Sequence, residues 1–280
     1  MEKPLVSVVM GVYNPSSQAE LRRSVDSILK QTYQNIEFII CDDGSNAITK
    51  KWLHQISKAD KRIKLLENNK NVGLAATLNC CIQAAKGDFI ARQDADDYSH
   101  PERLEKQLDF LCHHNQYAFV GSNIYYFSQI GLWGGFQYPQ CPQKNDFLWV
   151  SPFCHGSILF RKEVLEAVGL YRVSKETLRC EDYDLFMRIY LEGYYAANLQ
   201  ERLYYFCENE AAIQRRKMID RIDEVKVRAK YFGKLGLYPK GFIYLVKPLA
   251  VGILPSMFLS SLKDFIYQRK DIYDYENEDL

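Results

Sequence analysis

Short apolar runs alternate with helix-patterned segments through the first 126 residues, and this alternation limits the fold more than any other feature of the chain. Three of the runs span residues 5–12, 36–41 and 62–66, and each has the length of a strand. Residues 18–31 carry apolar side chains at helical spacing. Strands that alternate with helices predict βαβ units. We therefore expect an α/β fold with a doubly wound, mainly parallel sheet of Rossmann-like type.

Beyond the third strand the pattern continues and then weakens. Residues 74–85 are predicted to form a helix, residues 88–91 begin a strand, and residues 101–114 form a helix that starts at a proline. The chain between residues 127 and 208 is less regular, and a basic helical segment follows at residues 213–235. We therefore expect the sheet to be followed by a C-terminal helical extension.

Polar residues directly follow several of the predicted strands. Asn14 follows the first strand, Asp42 and Asp43 follow the second, and Asp94-Ala95-Asp96-Asp97 follows the strand that begins near residue 88. In a doubly wound sheet, ligands bind at the carboxyl ends of the strands. These side chains are therefore expected to lie along one edge of the sheet.

The aspartates at positions 94, 96 and 97 have two interpretations. Asp-x-Asp is common in turns and helix caps, where it binds no ligand. On an extended segment, however, Asp94 and Asp96 would share one face and could hold a hard cation together with diphosphate oxygens. Their position after a buried strand favours the cation.

Three further polar sites also have a structural and a functional interpretation. Asp43, in the sequence Asp-Asp-Gly-Ser, either belongs to a turn or accepts hydrogen bonds from a base or ribose. Glu181 and Asp182 begin a helical pattern, so they either favour its N-terminus electrostatically or supply a general base. His155 precedes a predicted strand and is either structural or directed into the same cleft.

Motifs that the sequence lacks argue against several classes of protein. No Gly-rich dinucleotide fingerprint follows the first strand, and no P-loop occurs. The nucleophile elbow of hydrolases and the His-Glu-x-x-His motif of zinc peptidases are missing as well. The net charge of +1 gives the molecule no strong field for nucleic acid, so we expect no such partner.

The cysteines and the N-terminus indicate a cytoplasmic protein. None of the eight cysteines belongs to a Cys-x-x-Cys pair, and several lie in apolar runs, as reduced core thiols do. The first residues, MEKPLVSVVM, lead directly into a strand and lack the features of a signal peptide.

One apolar segment near the C-terminus raises the question of a membrane. Residues 242–262 are long and apolar, but Lys247, Pro248 and Pro255 interrupt them, which argues against a spanning helix. The segment is expected either to pack in the core or against a second subunit, or to lie on a membrane surface. The basic residues at 215–230 either attract anionic lipid or face the solvent.

Seven motifs occur in an order that resembles family 2 glycosyltransferases with the GT-A fold. They are SVVMGVYN, IICDDGSN, NVGLAATLN, ARQDADD, HGSILFRKEV, GLYR and EDYDLFMR. Each motif is modest alone, but seven in order with fitting spacing are specific, and they cover about residues 5–200. The set is most similar to bacterial capsule, O-antigen and exopolysaccharide transferases.

The resemblance implies roles for individual residues. Asp182 matches the catalytic base of inverting members, and Asp96 matches the residue that holds Mn²⁺ or Mg²⁺ on the donor diphosphate. His155 is a further candidate metal ligand, and Glu181 and His155 are candidates for the acceptor side. The residues that the resemblance assigns to the nucleotide-sugar donor are Gly11, Val12, Tyr13, Asp42, Asp43, Asn71, Gly73, Asn79, Asp94 and Ala95.

The implied activity is the inverting, metal-dependent transfer of one sugar from a nucleotide sugar, with a UDP-sugar favoured, to an acceptor hydroxyl. The implied acceptor is a polyprenyl-diphosphate-linked glycan at the inner face of the cell membrane. The Gln-x-x-Arg-Trp motif of processive synthases is absent, which favours a single transfer. Two alternatives stay open: a sugar-nucleotide nucleotidyltransferase, which usually has a Gly-rich loop, and a non-catalytic relative, which would be expected to lose Asp96 or Asp182.

The resemblance also divides the chain. Residues 1–208 are expected to form the GT-A catalytic domain, in which residues 1–126 bind the nucleotide sugar and residues 127–208 bind the acceptor. Residues 209–280 are expected to form a helical region that associates with a membrane or with another subunit. Many relatives have a histidine where this chain has Phe206-Cys207-Glu208, so a third metal ligand is left open, with His155 or Glu208 as substitutes.

Overall fold

The alternating pattern of the N-terminal half folds into strands and helices close to the predicted positions. The computed structural model describes residues 3–129, 131–207 and 217–253. Its strands are β1 (Val6–Val12), β2 (Ile36–Asp42), β3 (Ile63–Glu67), β4 (Phe89–Arg92), β5 (Tyr98–Ser99), β6 (Tyr117–Ser128), β7 (Gly131–Phe136), β8 (Leu159–Arg161) and β9 (Tyr195–Cys207). Its helices are α1 (Gln18–Leu29), α2 (Ala47–Ala59), α3 (Leu74–Ala84), α4 (Arg103–His113), α5 (Lys162–Ala167), α6 (Glu181–Leu191), α7 (Met218–Phe232), α8 (Gly241–Leu245) and α9 (Lys247–Ile253).

The strands of the described residues form one sheet in the order β3-β2-β1-β4-β8-β6-β9-β5, and β7 pairs with β6. β1 is parallel to β2 and to β4, and β2 is parallel to β3. This half confirms the predicted doubly wound parallel sheet. In the other half β6 and β9 are parallel, but β8 is antiparallel to β4 and β6, and β5 is antiparallel to β9.

The second half departs from a parallel sheet because several of its elements are short. β7 begins at Gly131, three positions after β6 ends at Ser128, and such a short connection permits only an antiparallel hairpin. β8 has only three residues, which is too few for a recognisable alternation of apolar and polar side chains. The sequence predicts a strand after His155, where β8 lies, but it gives no indication of β7 or of the antiparallel pairing of β8.

Helices cover both faces of the sheet. Val8 and Val9 are neighbours in β1 that point to opposite faces, and both are almost fully buried. Val9 belongs to the core cluster that includes residues of α3 and α6, whereas Val8 belongs to the cluster that includes residues of α1 and α4. Burial on both faces explains the near-continuous apolar sequences of β1 and β2.

The C-terminal helices pack on the rest of the protein through a buried arginine. Arg228 of α7 is 1% exposed and donates hydrogen bonds to the carbonyl of Leu148 at 2.7 Å and to Glu224 at 2.9 Å. The apolar segment predicted at 242–262 contributes to α8 and α9, and its part beyond residue 253 lies outside the described residues. In the described part of the chain, no helix has the length and apolarity that a membrane span requires.

Candidate active site

The loops that follow β1 and β2 meet at the carboxyl edge of the parallel strands. The backbone N–H of Asn14 donates to the Oγ of Ser45 at 3.1 Å, and the side-chain oxygen of Asn14 accepts from the backbone N–H of Asn46 at 2.9 Å. The backbone N–H of Asp43 donates to the carbonyl of Val12 at 2.8 Å. The two loops therefore form one continuous edge, as the sequence predicts.

Asp43 organises a third loop, which precedes α3. Its carboxylate accepts hydrogen bonds from the backbone N–H groups of Val72 and Gly73, both at 2.9 Å, and from the side-chain amide of Asn68 at 3.0 Å. Asp43 is 4% exposed, so water competes little for these bonds. The carboxylate thereby holds the start of α3 against the ends of β1 and β2.

Gly44 permits this close approach of the loops. Its φ is +73°, a conformation that residues with a side chain rarely adopt. A Cβ atom at this position would lie 2.5 Å from the backbone carbonyl carbon of Lys70 and 2.6 Å from the backbone nitrogen of Asn71. The Asp-Asp-Gly-Ser motif therefore requires its glycine for structural reasons.

The three loops form the first wall of a cavity of about 340 Å³, and the segment from Val173 to Glu181 forms the second wall. This volume suits a small-molecule ligand. Tyr13 in the first wall is 54% exposed, so a planar ligand can stack on its ring. The predicted site residues that line the cavity are Gly11, Val12, Tyr13, Asp43, Asn71, Gly73 and Glu181.

The sequence gives no indication of the rest of the second wall, because this segment has no helical or strand period. Arg179 is the single cation among the described residues that line the cavity. Its φ of +66° is uncommon for a residue with a side chain, and such conformations concentrate at functional sites. The one feature of the sequence that could have identified Arg179 is its position two residues before the Glu181-Asp182 pair. The lining residues without a sequence-based assignment are Val72, Leu74, Ala75, Thr77, Val173, Ser174, Thr177, Leu178 and Arg179.

Two residues predicted to bind the donor lie outside the cavity lining and support the loops. Asp42 is fully buried, and one of its carboxylate oxygens accepts a hydrogen bond from the backbone N–H of Ser45 at 3.0 Å. The side chain of Asn79 forms hydrogen bonds of 2.8 and 3.0 Å with the backbone of Tyr171. Asn79 therefore joins α3 to the segment that leads to the second wall.

The three aspartates after β4 lie in different environments. Asp94 forms an ion pair with Arg92, whose side chain is 1% exposed. Asp97 is buried and accepts a hydrogen bond from the backbone N–H of Cys207 at 2.7 Å, and its burial, followed by the charges of Asp96 and Asp94, raises its pKa well above the ordinary value. Asp96 is the exposed member of the three.

The segment of residues 94–97, which we call the aspartate loop, is not extended as the sequence predicts. β4 ends at Arg92, and the chain bends at Ala95 and Asp96. The shared face that an extended strand would give Asp94 and Asp96 is therefore not formed by strand geometry here. None of Asp94, Ala95 and Asp96 belongs to the lining of the cavity described above.

The chemistry of the aspartate loop fits a divalent cation that shares its ligands with a substrate. Mg²⁺ and Mn²⁺ prefer oxygen ligands, and Mg²⁺ usually combines one or two carboxylates with phosphate oxygens and water. Among the residues that the structure describes, no three His, Cys, Asp or Glu side chains are grouped as a metal site. The exposed carboxylate of Asp96 is therefore suited to a cation that takes its other ligands from a diphosphate and from water.

His155 contacts the segment that leads to the second wall. Its Nε2 forms a hydrogen bond of 2.7 Å with the hydroxyl of Tyr171. Burial, followed by the nearby charge of Arg92, lowers the pKa of His155 well below its ordinary value, so the imidazole is neutral. This hydrogen bond leaves only Nδ1 for a metal. His155 as a metal ligand or an acceptor residue stays a prediction.

α6 begins with two acidic residues beside the cavity. Glu181 lines the cavity, and Asp182 follows it in the first turn of the helix. Burial, followed by the charge of Asp182, raises the pKa of Glu181 to about 7. A carboxyl group that titrates near neutral pH can exchange a proton at the working pH of an enzyme. The start of α6 therefore provides groups for acid–base chemistry.

A buried carboxylate fixes α6 in place. Asp184 is 0% exposed and accepts hydrogen bonds from Nε of Arg172 at 2.8 Å, Nε of Arg188 at 2.8 Å and the hydroxyl of Tyr231 at 2.9 Å. Arg188 also donates to the carbonyl of Leu170 at 2.6 Å. The helix that carries Glu181 and Asp182 is therefore tied to the second wall and to α7.

Comparison with known proteins identifies the family. The family model described as Glycosyl transferase family 2 matches residues 7–169. A glycosyltransferase of Bacillus subtilis named EpsE is 40% identical over 258 residues, which are 92% of each chain. The Escherichia coli protein WfaP is 33% identical over 194 residues, which are 69% of this chain and 73% of WfaP; its full name is UDP-Glc:alpha-D-GlcNAc-diphosphoundecaprenol beta-1,3-glucosyltransferase.

Solved structures confirm the GT-A fold that the sequence predicts. TarS of Staphylococcus aureus, in complex with UDP-GlcNAc, aligns with a TM-score of 0.65 and 17% identity, over 81% of this chain and 66% of that chain. The mannosyltransferase PcManGT of Pyrobaculum calidifontis, in complex with GDP-Man and Mn²⁺, aligns with a TM-score of 0.64 and 18% identity, over 98% of this chain and 83% of that chain. At this identity the likeness concerns the fold.

Proposed function

The chain belongs to glycosyl transferase family 2 and is a glycosyltransferase, and on this basis we propose that it transfers one sugar from a UDP-sugar to an acceptor hydroxyl with inversion. The observation that carries the proposal is the cavity between the strand ends and the start of α6, where Tyr13, Asp43 and Glu181 meet. In this proposal the nucleotide occupies the cavity, a divalent cation binds at Asp96, and Asp182 accepts the proton of the acceptor.

The base of the donor is proposed to lie against Tyr13 and Asp43. The exposed ring of Tyr13 offers a stacking surface. A carboxylate has about four lone-pair positions, and Asn68, Val72 and Gly73 occupy three of those of Asp43. The remaining position can accept the single ring N–H of uracil. The similarity to WfaP, whose name specifies UDP-Glc, supports the same nucleotide.

The diphosphate of the donor would bring negative charge next to Asp43 and Glu181. Arg179 is the cation of the second wall and is proposed to offset part of this charge. A Mn²⁺ or Mg²⁺ ion at Asp96 would stabilise the negative charge that develops on the departing UDP; Mn²⁺ accompanies the donor in PcManGT, which supports a cation of this type. Asp94, held by Arg92, is proposed to contact the ribose or the sugar.

The carboxylates at the start of α6 are proposed to carry out the proton transfer. Asp182 accepts the proton of the acceptor hydroxyl while that oxygen attacks the anomeric carbon from the face opposite UDP, so the configuration inverts without a covalent intermediate. Glu181, with a pKa of about 7, is partly protonated at neutral pH and can donate a hydrogen bond to a sugar hydroxyl. With Glu181 as a hydrogen-bond donor, the carboxylate of Asp182 remains available as the base.

We propose that the acceptor belongs to bacterial surface polysaccharide synthesis and is linked to polyprenyl diphosphate. Several similar proteins support this assignment by their names, which refer to diphosphoundecaprenol for WfaP, amylovoran for AmsE of Erwinia amylovora and O-antigen for WbnJ of Escherichia coli. A lipid-linked acceptor requires the enzyme to work at a membrane surface.

An exposed surface at the C-terminal helices is suited to such contact. Phe242, Ile243 and Val246 are 60%, 76% and 58% exposed and lie within five consecutive residues, so they form a local apolar group on the surface. Lys247 lies 3.7 Å from the ring centroid of the half-exposed Trp149, so basic and aromatic groups adjoin this surface. Basic and apolar groups together favour a membrane with anionic lipids, on which each cation contributes about 1 kcal/mol. We propose that this surface attaches the enzyme peripherally to the inner face of the cell membrane.

Sedimentation with vesicles tests the membrane contact. We expect the wild-type chain to bind vesicles that contain phosphatidylglycerol and to bind less to neutral vesicles, and we expect Phe242→Ser with Ile243→Ser to abolish binding. Protein that remains in solution with both kinds of vesicle would contradict attachment. A dimer in solution that the same pair of substitutions dissociates would assign the surface to a second copy of the chain.

Transfer to a synthetic acceptor tests the activity. The chain is incubated with Mn²⁺, a set of UDP-sugars and an alkyl diphosphate that carries α-D-GlcNAc, and the product is identified by mass spectrometry. We expect one added sugar, and we expect Asp182→Asn to lower kcat by about 10²- to 10⁴-fold while UDP affinity is retained. Near-normal turnover by Asp182→Asn would remove that residue from the role of base, and products with several added sugars would contradict a single transfer.

A further inference from the structure

A group of aromatic side chains on β6, β7 and β9 and just beyond the end of β7 lies outside the nucleotide cavity. Trp133 stacks on Tyr126, with ring centroids 5.0 Å apart and planes inclined by 16°, and Phe206 meets Tyr126 edge-on at 5.9 Å. Phe136 and Tyr138 contact each other at 4.7 Å. Together with Ile124, Cys154 and Tyr204 they form one apolar cluster. We call the five rings Tyr126, Trp133, Phe136, Tyr138 and Phe206 the aromatic platform.

The pairing of the strands brings these rings to one face of the sheet. Tyr126 in β6 is opposite Phe206 in β9. The pairing of β6 with β7 shifts register directly after Tyr126, and Trp133 of β7 stacks on Tyr126 at this point. The neighbouring residues Tyr125 and Tyr205 point to the other face, where their rings stack at 5.2 Å. The same strands therefore carry a second, separate set of aromatic residues that can serve as a control.

The aromatic platform adjoins the aspartate loop. The hydroxyl of Tyr204, in the same cluster, accepts a hydrogen bond from the backbone N–H of Asp94 at 3.2 Å. The backbone N–H of Cys207 donates to Asp97 at 2.7 Å. Phe206 thus lies between two residues that contact the loop at which the cation is proposed to bind. A ligand on the platform would be next to the place of sugar transfer.

Four of the five rings of the platform keep part of their surface accessible to solvent. Tyr126 is 6% exposed, but Trp133, Phe136, Tyr138 and Phe206 remain partly exposed around it. The C–H groups on one face of a pyranose ring carry partial positive charge, and they pack favourably on the negative face of an aromatic ring. Sites of this kind combine flat apolar walls with a few polar groups at the edge. The aspartate loop supplies such polar groups here.

We propose that the aromatic platform binds the sugar ring of the acceptor and that Trp133 is the residue on which this ring stacks. The inference rests on the proposed function and deepens it, because it assigns the acceptor to a defined surface that is distinct from the nucleotide cavity. The proposed ligand is a pyranose ring. Binding of a lipid chain to the same surface is a different result, which the test below distinguishes.

Saturation-transfer NMR tests the inference with the full chain, UDP and Mg²⁺ present. The probes are methyl glycosides of glucose, galactose and N-acetylglucosamine, together with the corresponding octyl glycosides. We expect saturation to reach ring protons of at least one methyl glycoside. We expect Trp133→Leu to weaken its binding about 3- to 10-fold, as the loss of one stacking contact predicts, and Trp133→Phe to retain most of the affinity.

Tyr205→Leu is the control, because it removes an aromatic ring from β9 on the face of the sheet opposite to the platform residue Phe206. We expect it to leave glycoside binding unchanged. Three results would overturn the inference: no glycoside binds, Trp133→Leu binds as tightly as the wild type, or both leucine variants weaken binding equally. Saturation confined to the octyl chain would assign the surface to lipid and would also overturn it.

Calorimetric titration of the same variants with UDP separates this inference from the proposed function. UDP binding that is equal in the wild type and in Trp133→Leu shows that the cavity is intact, so a loss of glycoside binding then belongs to the platform. A wild-type chain that binds glycosides through Trp133 but does not bind UDP would contradict the proposed donor and leave the sugar site standing.

Discussion

Gly44 touches no ligand in this account, yet the nucleotide cavity depends on it. Gly44→Ala would place a Cβ atom 2.5 Å from the backbone of Lys70, so the loop held by Asp43 has to move. We expect the free energy of unfolding to fall by about 1–3 kcal/mol and UDP affinity to fall as well. Chemical denaturation and calorimetry measure the two effects.

Gly169→Ala is the control for this substitution. Gly169 also has a positive φ, +81°, but a Cβ there would have no neighbour within 4 Å. The variant Gly169→Ala therefore introduces backbone strain but no close contact between loops. If both alanine variants bind UDP equally well, the close approach at Gly44 does not shape the cavity.

The raised pKa of Glu181 predicts that the stability of the protein depends on pH. Its pKa of about 7 in the folded protein lies above the ordinary value of 4.5, so the folded state holds the proton more tightly than the unfolded state. The resulting stabilisation is complete below about pH 4.5 and is lost as the pH rises through 7. Glu181→Gln removes this dependence, so we expect it to raise the free energy of unfolding at pH 8 by about 2–3 kcal/mol relative to wild type.

Denaturation of the wild type and of Glu181→Gln at pH 4 and pH 8 measures this effect. At pH 4 both proteins carry a neutral side chain at this position, so we expect the difference between them to vanish. A constant difference at the two pH values would show that Glu181 titrates at its ordinary pKa and would remove its proposed donor role at neutral pH.

At the scale of secondary structure elements, α6 is held in place by the buried carboxylate of Asp184. Asp184 ties it to the loop before the second wall through Arg172 and to α7 through Tyr231. The C-terminal helices are therefore mechanically connected to the helix that carries Glu181 and Asp182.

Substitutions of the Asp184 partners test this connection. Tyr231→Phe removes one hydrogen bond, and we expect a loss of about 1 kcal/mol of stability with a decrease in kcat and little change in the KM for the donor. Asp184→Asn weakens two buried ion pairs and should cost about 3 kcal/mol. Steady-state kinetics at a temperature where both variants are folded measures kcat, and an unchanged kcat in both would mean that α6 needs no support from α7.

The sequence predicted those elements best whose side-chain pattern is long and regular. β1 and β2 are near-continuous apolar runs, and α1 and α6 have a helical period. Tyr13, which follows β1, and Glu181, which begins α6, line the same cavity. The second wall was not predicted, because Arg179 reaches the cavity only through tertiary packing. The strand expected after His155 is present as β8, but its antiparallel pairing was not predicted, and the bend at Ala95 depends on the contacts of the folded aspartate loop.

At the scale of the whole molecule, the three proposed tasks belong to different regions of the chain. The parallel half of the sheet and the start of α6 form the nucleotide cavity, the antiparallel β6–β7 hairpin and β9 form the aromatic platform, and the C-terminal helices present the exposed apolar surface. In the proposed reaction, the aspartate loop acts between the nucleotide cavity and the aromatic platform. The aspartates that follow β4 would thus connect donor and acceptor.

Calorimetry with UDP, GDP and dTDP, each with and without Mn²⁺, tests the central claim most directly. The account predicts that UDP binds more tightly than the other two nucleotides, that Mn²⁺ strengthens this binding, and that Asp96→Ala abolishes the effect of Mn²⁺ while Gly169→Ala preserves it. Tighter binding of GDP or dTDP would overturn the uracil assignment, and UDP binding that is indifferent to Mn²⁺ and to Asp96 would overturn the cation site. The absence of binding by all three nucleotides would contradict the assignment of the cavity.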